Sequence, residues 1–268
     1  VPVWSSCPAF IGMQDIVKIQ PIFVSGCCGD YILLQKVAEV RHRATQWSDL
    51  KTAYRLFDNE CVTFSAVCKQ HWHTMRQTKT GRYLLISDTT DINRITHQAT
   101  TGLGMLGNGK GRGVQLHNCL VYNCNEKLIE GTAGASLYYR SRVPKNETRA
   151  QRLRRVRESE LWGNLVADIG SAPEGARWIH VFDRGGDNFE AMCHIRQTGC
   201  DWVIRASQLN RKVIDERGEK RYLWEVIQDA EFLGSYELHL RSRQGVPART
   251  AQIEVSMTRV TLQKPRQR

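Results

Sequence analysis

Two aspartates that follow short apolar runs are the residues of this sequence best suited to chemistry. Asp88 follows the run 83–87, and Asp183 follows the run 178–182. Both runs are typical of buried strands, and the carboxyl ends of neighbouring strands in an α/β sheet face the crevice where ligands bind. Two close carboxylates repel each other unless a cation lies between them, so the pattern predicts a Mg²⁺ or Mn²⁺ site held by Asp88 and Asp183. The alternative is that each aspartate only begins a turn.

The segments between the two aspartates have to bring them together. Alternation over 114–121 and the run 128–139 predict two more strands. The glycine-rich stretch 102–113 is predicted to be a long hairpin connection near the site. A phosphate-cradling loop is the weaker interpretation, because there is no GxxxxGK[ST] and the glycines do not stand between a strand and a helix.

Helices are predicted on both sides of this core. An apolar periodicity begins at Trp47, and a second helix capped by Thr63 follows it. A long helix is predicted from Asn146 until Gly170 stops it, with most of an arginine run in its first half. After Asp183 the pattern predicts a helix over 188–196 and a strand over 201–207, and short alternating β runs begin near Arg211. Together these elements predict an α/β fold with a mixed sheet and flanking helices.

The blocks around the aspartates resemble the cut-and-paste DDE transposases of bacterial insertion sequences. The first block comprises 87–90, the glycines between 102 and 113, and 116–117; the second is 182–187, and Glu158-Ser159-Glu160-Leu161-Trp162 stands between them as in that family. The resemblance implies a ribonuclease-H-like core with an N-terminal helical segment and a β-rich insertion. It divides the chain into an unclear stretch 1–44, a helical DNA-end-binding segment 45–78, an incomplete catalytic core 79–210 and a truncated insertion 211–268. Without it, two ordinary packing helices would be the preferred interpretation of 47–75.

The resemblance also implies an activity, which is cleavage of double-stranded DNA at insertion-sequence ends and joining to a target by a homodimer in a synaptic complex. Two metal ions held by Asp88 and Asp183 would promote in-line displacement at phosphorus. Thr89, Thr90, Arg184 and Asp187 are candidates for orienting the two aspartates. The family's third carboxylate, in the pattern Tyr, two residues, Arg, three residues, Glu, six residues, Lys, does not occur before Arg268. We therefore expect little strand transfer from this chain; the alternatives are a non-catalytic DNA-binding fragment that inhibits transposition and a metal-dependent nuclease of the same fold.

Charge and composition indicate which kinds of binding partner and which cellular compartment suit the chain. Lys and Arg outnumber Asp and Glu by 38 to 27, which suits a polyanion, although a basic protein without such a partner is the alternative. The residues expected to contact the DNA backbone are Arg112, Arg149, Arg152, Arg154, Arg155, Arg157 and Arg205; arginines on a helix are otherwise simply solvated. Nine dispersed cysteines predict reduced thiols in a cytoplasmic protein. The resemblance implies that this protein is bacterial and nucleoid-associated. No stretch has the ~20 apolar residues of a membrane span.

Overall fold

The computed structural model describes residues 2–4, 47–96, 99–107, 109, 111–140, 146–148, 150–151 and 157–265. The helices are α1 (Trp47–Phe57), α2 (Phe64–Arg76), α3 (Glu160–Ile169), α4 (Phe189–Gln197) and α5 (Leu223–Gln228), with a 3₁₀ turn at Arg184–Gly186. The strands are β1 (Pro2–Trp4), β2 (Gly81–Asn93), β3 (Gly104–Leu106), β4 (Gly111–Asn123), β5 (Leu128–Tyr138), β6 (Ala176–Phe182), β7 (Asp201–Ile204), β8 (Lys212–Ile214), β9 (Lys220–Tyr222), β10 (Glu231–Leu240), β11 (Arg249–Arg259) and β12 (Thr261–Leu262).

A six-stranded mixed sheet forms the centre of the fold. Its order is β3–β4–β2–β6–β7, and β5 also pairs with β4. The strands β2, β4 and β5 are antiparallel, whereas β6 lies parallel to β2 and β7 lies parallel to β6. The chain thus has the mixed α/β fold that the sequence predicted.

Helices cover both faces of this sheet. On one face, Leu85 and Phe182 pack with residues of α3 and α4 in the main hydrophobic core. On the other face, Cys68 and Trp72 of α2 pack with Leu116. Thr63 caps α2 as predicted, since its hydroxyl accepts a hydrogen bond from the Ala66 N–H.

The expectation that the first strand ends at Asp88 is wrong. Strand β2 continues to Asn93, which is paired with Gly113 of β4. Gly113, expected to lie in a flexible connection, is therefore part of a strand, and a Cβ on it would come within 1.9 Å of the Ile92 carbonyl oxygen. The glycine is required for close backbone approach here rather than for flexibility. The predicted hairpin connection is present, but it is the shorter turn between β3 and β4.

The expectation of one helix from Asn146 to Ile169 is also wrong. Residues 157–159 form a turn, and α3 begins only at Glu160. Glu158 is held out of the helix because its carboxylate accepts hydrogen bonds from Arg140 and from Gln115. Gly170 ends the helix, as predicted.

Two small sheets follow the core. Strand β8 pairs with β9 and β12, and a cluster of Val213, Leu223, Val226 and Val260 joins that sheet to the short helix α5, which the sequence did not predict. Strand β11 pairs with β10 and with β1. Apart from Pro2–Trp4, the stretch 1–44 lies outside the described residues. No helix in the described part of the chain is long and apolar enough to cross a membrane.

Candidate metal centre at the sheet edge

The pairing of β2 with β6 places the two aspartates side by side. Ser87 is opposite Phe182 in the parallel register, so the next residue on each strand is an aspartate. Burial raises the pKa of Asp88, and the negative charge of Asp183 raises it further. Asp88 is half-buried and Asp183 is exposed, so the pair is open to solvent from the Asp183 side.

One backbone N–H orients each carboxylate. The Thr89 N–H donates to Oδ1 of Asp88 at 2.8 Å. The Gly185 N–H donates to Oδ1 of Asp183 at 2.7 Å, which makes Asp183 the N-terminal cap of the 3₁₀ turn. The turn-forming alternative thus describes a contact that Asp183 makes, and this contact leaves its Oδ2 available.

The donor set suits a hard divalent cation. Mg²⁺ is usually bound in proteins through one or two carboxylates, with waters and substrate phosphates completing the octahedron. Asn118 is 5% exposed and lies on β4, directly opposite Asp88 in the antiparallel pairing, which adds an amide beside that carboxylate. No group of three or more His, Cys, Asp or Glu side chains able to hold a metal occurs within the described ranges.

The residues expected to orient the aspartates occupy different positions. Thr89 donates its N–H to Asp88, and its hydroxyl is 2.8 Å from Nδ1 of His117. Thr90 is half-buried on β2, opposite Leu116, and Arg184 is exposed in the 3₁₀ turn. The orienting role stays a prediction for each of them.

Asp187 makes its hydrogen bonds on the other side of the 3₁₀ turn. Its carboxylate accepts from the N–H groups of Ser207 at 2.6 Å and Gln208 at 2.8 Å. Arg211 Nη2 lies 2.6 Å from its Oδ1 in an ion pair whose aspartate side chain is 1% exposed. These contacts connect the turn to the loop after β7, and none of them reaches Asp88 or Asp183.

The arginines expected to bind DNA are only partly described. Arg149, Arg152, Arg154 and Arg155 lie outside the described residues. Arg157 is ion-paired with Glu160 at 2.6 Å. Arg205 is exposed just after β7, where its N–H donates to the Phe182 carbonyl, one residue before Asp183. Arg112 lies on β4 and donates to the Thr100 carbonyl at 2.6 Å.

Sequence reasoning gave no role to two buried residues beneath the site. His117 is fully buried on β4, and its ring lies 4.5 Å from the Trp162 ring in an edge-on arrangement. Burial lowers the pKa of His117 to about 4, although a hydrogen bond with the Asp88 backbone opposes this shift, so the imidazole is neutral at pH 7. The only signal was a polar residue at position 117, in a strand that also carries Gln115 and Asn118, and such a residue is uninformative until its partner is known.

Gln115 forms a second buried polar contact on β4. Its Nε2 donates to Oδ1 of Asp91 at 3.0 Å and to Oε1 of Glu158 at 3.2 Å. This contact joins the end of β2 to the turn before α3. The hydrogen bond from Gln115 helps to position Glu158, which was identified from the sequence only as part of the motif 158–162.

Comparison with known proteins leaves the family of this chain open. No protein-family model matches it, and no curated protein matches it. Among solved structures it is similar to a piggyBac transposase synaptic complex with hairpin DNA, with 12% identity and a TM-score of 0.34 over 84% of this chain and 50% of that chain. The chain therefore spans about half the length of that protein. A likeness at this TM-score carries no argument about function.

Proposed function

We propose that the edge formed by Asp88 and Asp183 is a divalent-metal site for phosphoryl transfer on DNA, in a transposase-type protein with a ribonuclease-H-like core. The observation that carries this proposal is the parallel register of β2 and β6, which brings the two carboxylates to one partly exposed edge. The strand order β5–β4–β2–β6–β7, with the first three strands antiparallel, supports the proposed core. The resemblance of the sequence blocks to DDE transposases supplies the reaction class.

In this proposal the chain's own residues hold the metal ions and orient the two carboxylates that bind them. Asp88 and Asp183 would be the ligands, and the N–H groups of Thr89 and Gly185 fix one oxygen of each carboxylate. Bound Mg²⁺ or Mn²⁺ would supply Lewis-acid activation of a water or a 3′-hydroxyl and charge neutralisation at phosphorus. Arg205, which is exposed just after β7, would contact a backbone phosphate beside the two aspartates.

The second candidate is a non-catalytic protein that binds DNA. The formal charge of +11 favours it, and so does the fact that the described residues bring two acidic side chains together rather than three. In both candidates, two copies of the chain would pair and hold two DNA ends. A nuclease without end specificity is distinguished from both by its products.

Metal binding and DNA cleavage should be measured in the same preparations. We expect the full chain to bind Mn²⁺, detected by electron paramagnetic resonance of free Mn²⁺, and we expect Asp88→Asn and Asp183→Asn each to weaken that binding at least about tenfold. Asp201→Asn is the matched control, because this exposed aspartate begins the neighbouring strand β7 and pairs with Arg177. Nicking of supercoiled plasmid with Mg²⁺ or Mn²⁺ would then test for chemistry.

The outcomes separate the candidates. Metal-dependent nicking that Asp88→Asn abolishes supports phosphoryl transfer, and the product ends distinguish nuclease from strand-transfer activity. Salt-sensitive DNA binding without nicking supports the second candidate. Mn²⁺ binding that neither Asp88→Asn nor Asp183→Asn weakens would overturn the proposed site.

A further inference from the structure

The two candidate ligands share a support beneath the sheet edge. Each carboxylate is fixed by a single backbone N–H, that of Thr89 for Asp88 and that of Gly185 for Asp183. The question is therefore what fixes those two N–H groups. The Thr89 backbone is paired with His117 in the sheet, and beyond this pairing the side-chain contacts in both cases lead to the ring of Trp162.

The Asp183 side reaches Trp162 directly. A Cβ added to Gly185 would come within 3.0 Å of Cζ2 of Trp162 and 3.1 Å of Oδ1 of Asp183. The turn backbone thus lies directly on the indole, and a side chain at position 185 would be tightly packed between the ring and the carboxylate. The Phe182 ring packs 4.9 Å from the same indole, which fixes the end of β6.

Asp88 is connected to Trp162 through Thr89 and the side chain of His117. The pairing of β2 with β6 ends at Ser87, so the Thr89 N–H lies beyond the last paired residue of β6 and donates to Asp88. The Thr89 hydroxyl is 2.8 Å from Nδ1 of His117, and the His117 ring lies 4.5 Å from the indole. Both rings are buried, so neither can move without displacing core atoms.

We infer that Trp162 is a positioning residue for both candidate ligands, acting on Asp183 through Gly185 and on Asp88 through His117 and Thr89. The inference rests on the proposed function only for its consequence, which is metal affinity. The positioning itself is a property of the metal-free protein. One indole sets the relative placement of two carboxylates that otherwise repel each other.

Amide hydrogen exchange in the metal-free full chain tests the positioning. In Trp162→Phe the smaller ring no longer reaches both contacts, and we expect the amides of Thr89 and Gly185 to exchange about tenfold faster. The amides of Ser207 and Gln208, which donate to Asp187, are the internal control and should keep their protection. A uniform increase at all four amides, or no increase at Thr89 and Gly185, would show that Trp162 is an ordinary core residue.

Thr89 offers a variant that separates the two sides without altering the core aromatic rings. Thr89→Val keeps the shape and removes the hydroxyl, so the Thr89 amide should exchange faster while the Gly185 amide stays as in the wild type. Thr89→Ser should restore protection because it retains the hydroxyl for His117. Thr132→Val is the control, since this threonine also lies in the sheet and is buried on β5, away from both aspartates.

Mn²⁺ binding by the same variants tests the consequence. We expect Thr89→Val to lose about tenfold in affinity, and Thr89→Ser and Thr132→Val to remain within about twofold of the wild type. If the wild type binds no Mn²⁺ through Asp88, the proposed function fails, while the exchange data still decide the positioning inference. Selective exchange changes with unchanged Mn²⁺ affinity would overturn the consequence for metal binding.

Discussion

Asp183 and Asp187 flank the same 3₁₀ turn but have opposite environments. Asp187 is buried and accepts hydrogen bonds from two backbone N–H groups and from Arg211. Asp183 is exposed, accepts one backbone N–H, and lies beside a second carboxylate. A carboxylate whose oxygens are already satisfied by the protein stabilises the fold. One that lies beside a like charge is stabilised by a bound cation or by protonation of the pair.

The largest expected effect is on the free energy of unfolding and comes from replacing the buried aspartate, Asp187. Asp187→Ala leaves the N–H groups of Ser207 and Gln208 without their acceptor and removes the carboxylate partner of Arg211. Breaking a buried pair costs about 3–5 kcal/mol. We therefore expect the free energy of unfolding, measured by urea denaturation, to fall by that amount.

The control for Asp187→Ala is a pair of the same chemistry on the surface. Asp201 and Arg177 are 2.7 Å apart, but their side chains are 51% and 64% exposed. Asp201→Ala should therefore cost no more than about 1 kcal/mol. Equal losses for Asp187→Ala and Asp201→Ala would remove the structural distinction between Asp187 and the exposed aspartates.

The next effect is the pH dependence of stability that comes from the buried His180 side chain. Both ring nitrogens of His180 are buried without a hydrogen-bond partner in the described part of the structure. Burial lowers the pKa of His180 from 6.5 to about 4, so the unfolded chain takes up a proton that the folded chain does not. Stability from this group is complete above pH 6.5 and is lost as the pH falls toward 4, by roughly 1 kcal/mol per pH unit.

The measurement is urea unfolding at several pH values between 7 and 4. In His180→Leu the slope of stability against pH should become shallower, and stability at pH 7 should change little because no hydrogen bond is lost. His117, whose pKa is also lowered to about 4, should supply the remaining slope. An unchanged slope in His180→Leu would mean that this side chain is already hydrated in the folded state.

The smallest effect, and the one of opposite sign, belongs to Asp88. Because burial and the charge of Asp183 raise its pKa, the folded chain binds this proton more tightly than the unfolded chain does. Its contribution is therefore most favourable at acid pH and is lost as the pH rises through the ordinary carboxyl range to the raised pKa. Asp88→Asn should remove this loss and make the metal-free protein slightly more stable at pH 7.

Adding Mg²⁺ sharpens this last prediction. The wild type should gain stability with Mg²⁺, whereas Asp88→Asn should not, because only the wild type has both ligands. Thermal unfolding with and without Mg²⁺ measures the difference. Metal-free Asp88→Asn that is less stable than the wild type at pH 7 would place Asp88 with Asp187 as a structural carboxylate.

Local patterns account for what could be predicted about the fold. The run before Asp183, the caps at Thr63 and Gly170 and the strand 128–138 were predictable because each depends on residues adjacent in the chain. The extension of β2 past Asp88 and the break before Glu160 were not. They depend on partners distant in sequence, which are β4 for the extension and Gln115 and Arg140 for the break.

The sequence alone determined that Asp88 and Asp183 each follow an apolar run typical of a buried strand, because residue type and periodicity suffice to identify such a run. Only the tertiary structure decided that the two are neighbours, since the register of β2 against β6 is set by pairing and packing of side chains far apart in the chain. The same holds for Asp187, His117 and Trp162. The role of each of these side chains depends on which group lies beside it, and that neighbour is determined only by the tertiary packing of the sheet and its helices.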